Sequence, residues 1–180
     1  MSKRPNVYIR IFSGDDPSGW DGESIAYVFL GFKPWNEMFH VLSQCDPDRD
    51  FFSYQRETNC QKWDVVAAGS LMLEEGCSRL AHISEQIYYP CATIVRARHK
   101  NKGYGDLLYK ALIMAAIRHA KKLGTTNWTF GTHRSVGGST STSAMRVYKS
   151  LVRKRYLKPT AKQDHYLPGK TPKNFTPVFY

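Results

Sequence analysis

One domain of α/β (α+β) type is the fold class that the sequence predicts, on three observations. Short β-branched runs alternate with amphipathic segments of three- and four-residue period. A strand, a glycine-bearing loop and a long helical pattern follow one another directly over residues 92–123. The length of 180 residues suits one domain with a real core, and no repeat or low-complexity block divides it.

The elements follow in order. Residues 6–12 form a first strand, and residues 23–31 and 35–44 read as two helices divided near Pro34. Residues 51–56 and 63–73 read as an antiparallel pair joined by a polar turn around Thr58, Asn59 and Cys60. Gly69 marks a bulge or a close backbone approach in the second of them. Residues 77–90 carry no clear pattern. Residues 92–96 are too short and too β-branched to be other than a strand. From 104 to 123, Leu107, Leu108, Ala111, Leu112 and Ala115 recur on one helical face, widened by Ile113, Met114 and Ile117. Asp106 suits the first turn of that helix, Lys121 and Lys122 the last, and Gly124 a left-handed stop. Residues 126–130 form a strand. The polar, glycine-rich run 134–142 is either a flexible loop beside a site or a plain spacer. Residues 143–152 form a helix with Ala144, Val147, Tyr148, Leu151 and Val152 on one face and Ser141 or Ser143 as N-cap. Residues 155–157 and 175–180 are closing strands.

The loop before the long helix has the chemistry of an anion site. Gly103 and Gly105 let backbone N–H groups approach a ligand, the helix directs its partial positive end there, and Arg96, Arg98, Lys100 and Lys102 add charge of the right sign. No Gly-Lys-Ser/Thr closes it as in a Walker loop, and the Rossmann glycine pattern is incomplete.

The segment resembles motif A of the GNAT superfamily of N-acyltransferases, with Val95, Gly103 and Gly105 on motif positions. Ala97 stands where proline is usual and Lys100 where arginine or glutamine is usual. Ala144 to Tyr148 is similar to motif B, Ala-x-x-x-Tyr. The element order is similar as well. The resemblance implies a mixed, mostly antiparallel central sheet whose central strands splay apart, flanked by helices. It implies acetyl-CoA, or another acyl-CoA, as donor. Ile94, Val95, Arg96, Ala97, Lys100, Asn101, Lys102, Gly103, Tyr104, Gly105 and Asp106 would hold it.

Under that resemblance the reaction is acyl transfer to an amine. The backbone N–H at or next to Val95 steadies the oxyanion, and Tyr148 protonates the leaving thiolate. Tyr148 read without the motif is a core aromatic. The base is His133, Glu85 or a water-mediated route using neither. No cysteine lies inside either motif, so transfer is expected to be direct. Trp20, Phe32, Trp35 and Phe39 line an acceptor cleft or pack the core. The acceptor itself, the acyl chain and the oligomeric state are left open.

A formal net charge of +11 implies an acidic partner. Part of it serves the polyanionic donor. Much of the rest, at Arg153, Lys154, Arg155, Lys158, Lys162, Lys170 and Lys173, suits a nucleic-acid backbone or is a solvated basic surface. An acceptor on a nucleic acid, or a GNAT-like binding module without catalysis, are the alternatives to a small-amine acyltransferase. Cys45, Cys60, Cys77 and Cys91 form no CxxC pair, which argues for reduced thiols and against a metal site. No stretch nears the roughly 18 apolar residues of a membrane span, and the N-terminal residues do not read as a secretory leader. A cytoplasmic protein is expected.

Overall fold

Strand-forming residues buried on both faces build an open, mixed, eight-stranded sheet, described here in a computed structural model covering residues 3–12, 24–43, 64–77, 84–94 and 101–180. In chain order the elements are β1 (Asn6–Ile11), β2 (Ser24–Gly31), α1 (Trp35–Leu42), β3 (Val65–Cys77), β4 (Ser84–Ile94), α2 (Tyr104–Leu123) and β5 (Trp128–Gly131). A single 3-10 turn (His133–Val136) follows, then α3 (Thr142–Arg153), β6 (Leu157–Pro159), β7 (His165–Pro168) and β8 (Val178–Phe179). The strand order across the sheet is β6-β7-β5-β4-β3-β2-β1-β8. Two neighbouring pairs, β4 with β5 and β1 with β8, run parallel; the others run antiparallel.

Alternation along β1 and β2 divides the core. Val7, Ile9, Ala26, Val28 and Leu30 face α2, where Leu108, Ala111, Leu112 and Ala115 close over them. Tyr8, Tyr27 and Phe29 face the other way, onto Met38 and Leu42 of α1. Every residue of β2 is buried in consequence. This is why residues 23–31 do not form the expected helix. A strand covered on both faces loses its polar alternation and reads as an unbroken apolar run.

Other expectations are adjusted in the same way. The strand begun near residue 63 runs to Cys77, and the unpatterned stretch after it contains most of β4. Residues 51–56 and the turn after them lie outside the described residues, and β3 pairs with β2 and β4. Gly69 is no bulge, since it pairs regularly with Val28 and Ala92. Arg155 adopts φ 64° just past α3, so β6 begins at Leu157. The β7 strand was not foreseen.

The long helix matches its sequence signals. Gly124, at φ 69°, ends α2, with its N–H 3.2 Å from Lys121 O and the Thr125 N–H 3.1 Å from Ala120 O. Ser141 caps α3, its Oγ accepting from the Ala144 N–H at 3.1 Å. No helix among the described residues is long and apolar enough to cross a membrane.

Candidate functional site

The parallel pair at the centre of the sheet is joined over only part of its length. Gln86, Ile87 and Tyr88 of β4 pair with Trp128, Thr129 and Phe130 of β5. Beyond Tyr88, β4 runs on to Ile94 with β3 as its paired neighbour, while β5 ends at Gly131 and the chain turns away. Ser135 Oγ donates to Thr132 O at 2.6 Å and the Ser135 N–H to the same oxygen at 2.9 Å, which fixes that turn. Pro90 falls in β4 just past the last rung. A residue without an N–H is tolerated in a central strand where one flank has no ladder.

A cavity of about 680 Å³ opens at this divergence. Pro90 and Cys91 of β4, Tyr109 of α2, His133, residues 138–141, and Ala144 and Tyr148 of α3 line it. Two of the sequence-predicted catalytic residues, Tyr148 and His133, are therefore brought together. Glu85 pairs with Gly76, five residues before Pro90 along β4, which along a strand is roughly 17 Å.

Tyr148 is 1% exposed. Its hydroxyl donates to Gly131 O at 2.8 Å, and the direction is certain because a carbonyl oxygen can only accept. Tyr166 stacks on its ring at 5.3 Å and Tyr109 meets it edge-on at 5.3 Å. Burial, with the neighbouring phenols, holds its pKa well above the ordinary phenol value. His133 is half-buried, edge-on to Tyr89 at 5.4 Å, and lies so close to Gly138 that a Cβ there would strike the imidazole. That glycine in the polar run has a packing reason.

Tyr109 was not anticipated. It is 7% exposed, its pKa is raised by burial and by Cys91 beside it, and its hydroxyl makes no hydrogen bond among the described residues. A polar-tipped aromatic in an otherwise aliphatic helical stripe was the available signal. Cys91 is half-buried in the same wall and is not disulfide-bonded.

The expected anion loop is described from residue 101 on; Val95, Arg96, Ala97 and Lys100 lie outside the described residues, and Ile94 is the last rung of β4, opposite Ala67. Asn101 (φ 62°) and Gly103 (φ 78°) are left-handed. Gly103 occupies the N-cap of α2 with no side chain capping it. Among the described residues nothing lies within 4 Å of where its Cβ would be. Asn101, Lys102 and Gly103 are exposed, while Tyr104 is buried, edge-on to Phe32 at 6.3 Å.

The other two residues of the loop serve packing. A Cβ on Gly105 would meet Val147 Cγ2 at 3.1 Å, so this glycine admits α3. Asp106 joins the helices: its carboxylate takes Lys110 at 2.8 Å, Lys154 at 3.0 Å and the Ser150 hydroxyl at 3.2 Å. Burial alone would raise its pKa, but both lysines, by hydrogen bond and charge, outweigh that and lower it.

Among the aromatics considered for an acceptor cleft, Trp35 packs between Tyr8, Phe39 and Tyr180 in the second core cluster. Phe39 is exposed, Phe32 half-buried, and Trp20 lies outside the described residues. From Gly124 onward the chain carries ten Lys and Arg against one acid, Asp164. All ten cations are exposed. No family model matches the chain, and no curated protein matches it.

Proposed function

We propose that the chain is an N-acyltransferase of GNAT type, moving an acyl group, in the first instance acetyl, from acyl-CoA to an amine by direct transfer. The observation that carries this reading is the gap between β4 and β5, which opens onto a cavity holding Tyr148 and His133. An extended chain such as a pantetheine arm can replace the missing strand-to-strand hydrogen bonds with its own amides. The open, uncapped end of α2 at Gly103, with Lys102 exposed beside it, suits the diphosphate of the same donor. Arg96, Arg98 and Lys100, by their charge, would favour the same anion. The donor supplies the activated acyl carbonyl.

The protein's own residues do the rest. His133, on the cavity wall, takes the proton of the attacking amine, directly or through water. A backbone N–H of β4 beyond Tyr88 would steady the oxyanion. Tyr148 frames the sulfur end.

The test is calorimetric titration with acetyl-CoA, followed by thiol release against polyamines, aminoglycosides, peptides, tRNA and DNA. Saturable binding and amine-dependent release support the reading. Absence of saturable binding removes it and leaves a binding module.

The exposed cations after Gly124 favour one second reading, an acceptor amine carried by a nucleic acid. Transfer to tRNA or DNA should then weaken steeply with salt. Equal transfer to small amines without that salt dependence rejects it.

A further inference from the structure

We infer that Tyr109, rather than Tyr148, is the phenol that delivers a proton to the departing sulfur; this inference rests on the acyltransferase reading above. Both rings stand in the cavity wall, edge to face at 5.3 Å, so one ligand atom can lie near both hydroxyls. Their protons differ. Tyr148 has one hydroxyl hydrogen, and the Gly131 carbonyl holds it at 2.8 Å. To serve a second acceptor, Tyr148 would have to abandon a buried carbonyl and leave it unpaired, which is unfavourable.

The Tyr109 hydroxyl has no such commitment among the described residues. The ring is buried, yet its oxygen is not among the fully buried polar atoms that lack a partner, so it meets the cavity space. A ligand atom in the cavity can accept its hydrogen bond directly. Cys91, against the same phenol, is a poor competitor as acceptor, since sulfur of a neutral thiol accepts weakly. A thiolate is a far better one.

The step balances as follows. The amine nitrogen bonds to the acyl carbon, and the carbon–sulfur bond breaks with its electron pair going to sulfur. The Tyr109 hydroxyl gives its proton to that sulfur, and the resulting phenolate recovers a proton from the one shed by the amine. Burial keeps Tyr109 protonated between turnovers. Tyr148 then acts as a positioning residue, holding the end of β5 and the ring against which Tyr109 rests.

The experiment compares Tyr109→Phe, Tyr148→Phe and the parent chain by acetyl-CoA calorimetry and by thiol-release kinetics. For Tyr109→Phe we expect acetyl-CoA affinity and KM within about threefold of the parent, and kcat down at least tenfold. Tyr148→Phe should lose less in kcat. A third chain carrying 3,5-difluorotyrosine at position 109 keeps the shape and acidifies the hydroxyl, so the alkaline limb of kcat should move to lower pH. That chain decides the matter if Tyr109→Phe does not fold. Unchanged kcat in Tyr109→Phe, or an unmoved alkaline limb in the fluorinated chain, overturns the inference and leaves the acyltransferase reading standing. A parent chain that neither binds acetyl-CoA nor releases thiol overturns both.

Discussion

Gly105 of α2 and Val147 of α3 touch so closely that a Cβ on the glycine would stand 3.1 Å from the valine methyl. The two helices that flank the cavity are held at the distance this contact allows. Gly105→Leu should force them apart and destabilise the fold by about 2 kcal/mol. Val147→Ala in the same chain should restore part of that loss. Urea unfolding of the two variants measures it, and an unaltered midpoint in Gly105→Leu would mean that the helices have room to spare.

The Asp106 carboxylate ties the same helices by charge. Asp106→Asn removes both lysine pairs, at a cost of about 1–2 kcal/mol once the solvent exposure of Lys154 is allowed for. The folded pKa is lowered, so this contribution is present above the ordinary aspartate value of about 3.9 and fades as pH falls below it toward the folded one. Acid unfolding of the parent should therefore be sharper than that of the variant.

Gly103 offers a graded probe of anion binding at the start of α2. Its φ of 78° suits asparagine better than most side chains, and among the described residues no atom lies within 4 Å of where a Cβ would be. Gly103→Asn should keep acetyl-CoA affinity within about threefold. Gly103→Asp adds a negative charge at a few ångströms and should weaken binding roughly tenfold or more. Equal affinities in a calorimetric titration would move the diphosphate away from this end.

His119 provides a pH-dependent stability term away from the cavity. Its Nδ1 lies 2.8 Å from the Tyr88 hydroxyl, which burial pushes up to about 12. Desolvation, aided by Lys122, lowers the histidine's own pKa. The unfolded chain then binds the proton more readily, so stability is full above about pH 6.5 and falls as pH drops from there toward the folded value. Urea midpoints at pH 7.5 and 5.5 should differ in the parent and differ less in His119→Gln.

Where periodicity and end signals coincide, the chain was legible. Helix α2 stops at Gly124 as its composition suggests, and Ser141 opens α3. Illegibility had physical causes. Two-sided burial erased the alternation of β2, and polar Glu85 and Gln86 together with Pro90 obscured β4. His165–Pro168 is too short to carry a pattern. At the site, Tyr148 and His133 were found from their neighbours in sequence. Pro90, Cys91 and Tyr109 join them only through contacts between β4, α2 and α3, which no local pattern encodes.

The wedge beyond Tyr88 is framed by main-chain pairing, by Pro90, by the turn after Gly131 and by the Tyr148 hydroxyl on the Gly131 carbonyl. A lining residue outside that frame, such as Ser139, can be exchanged without closing the entrance.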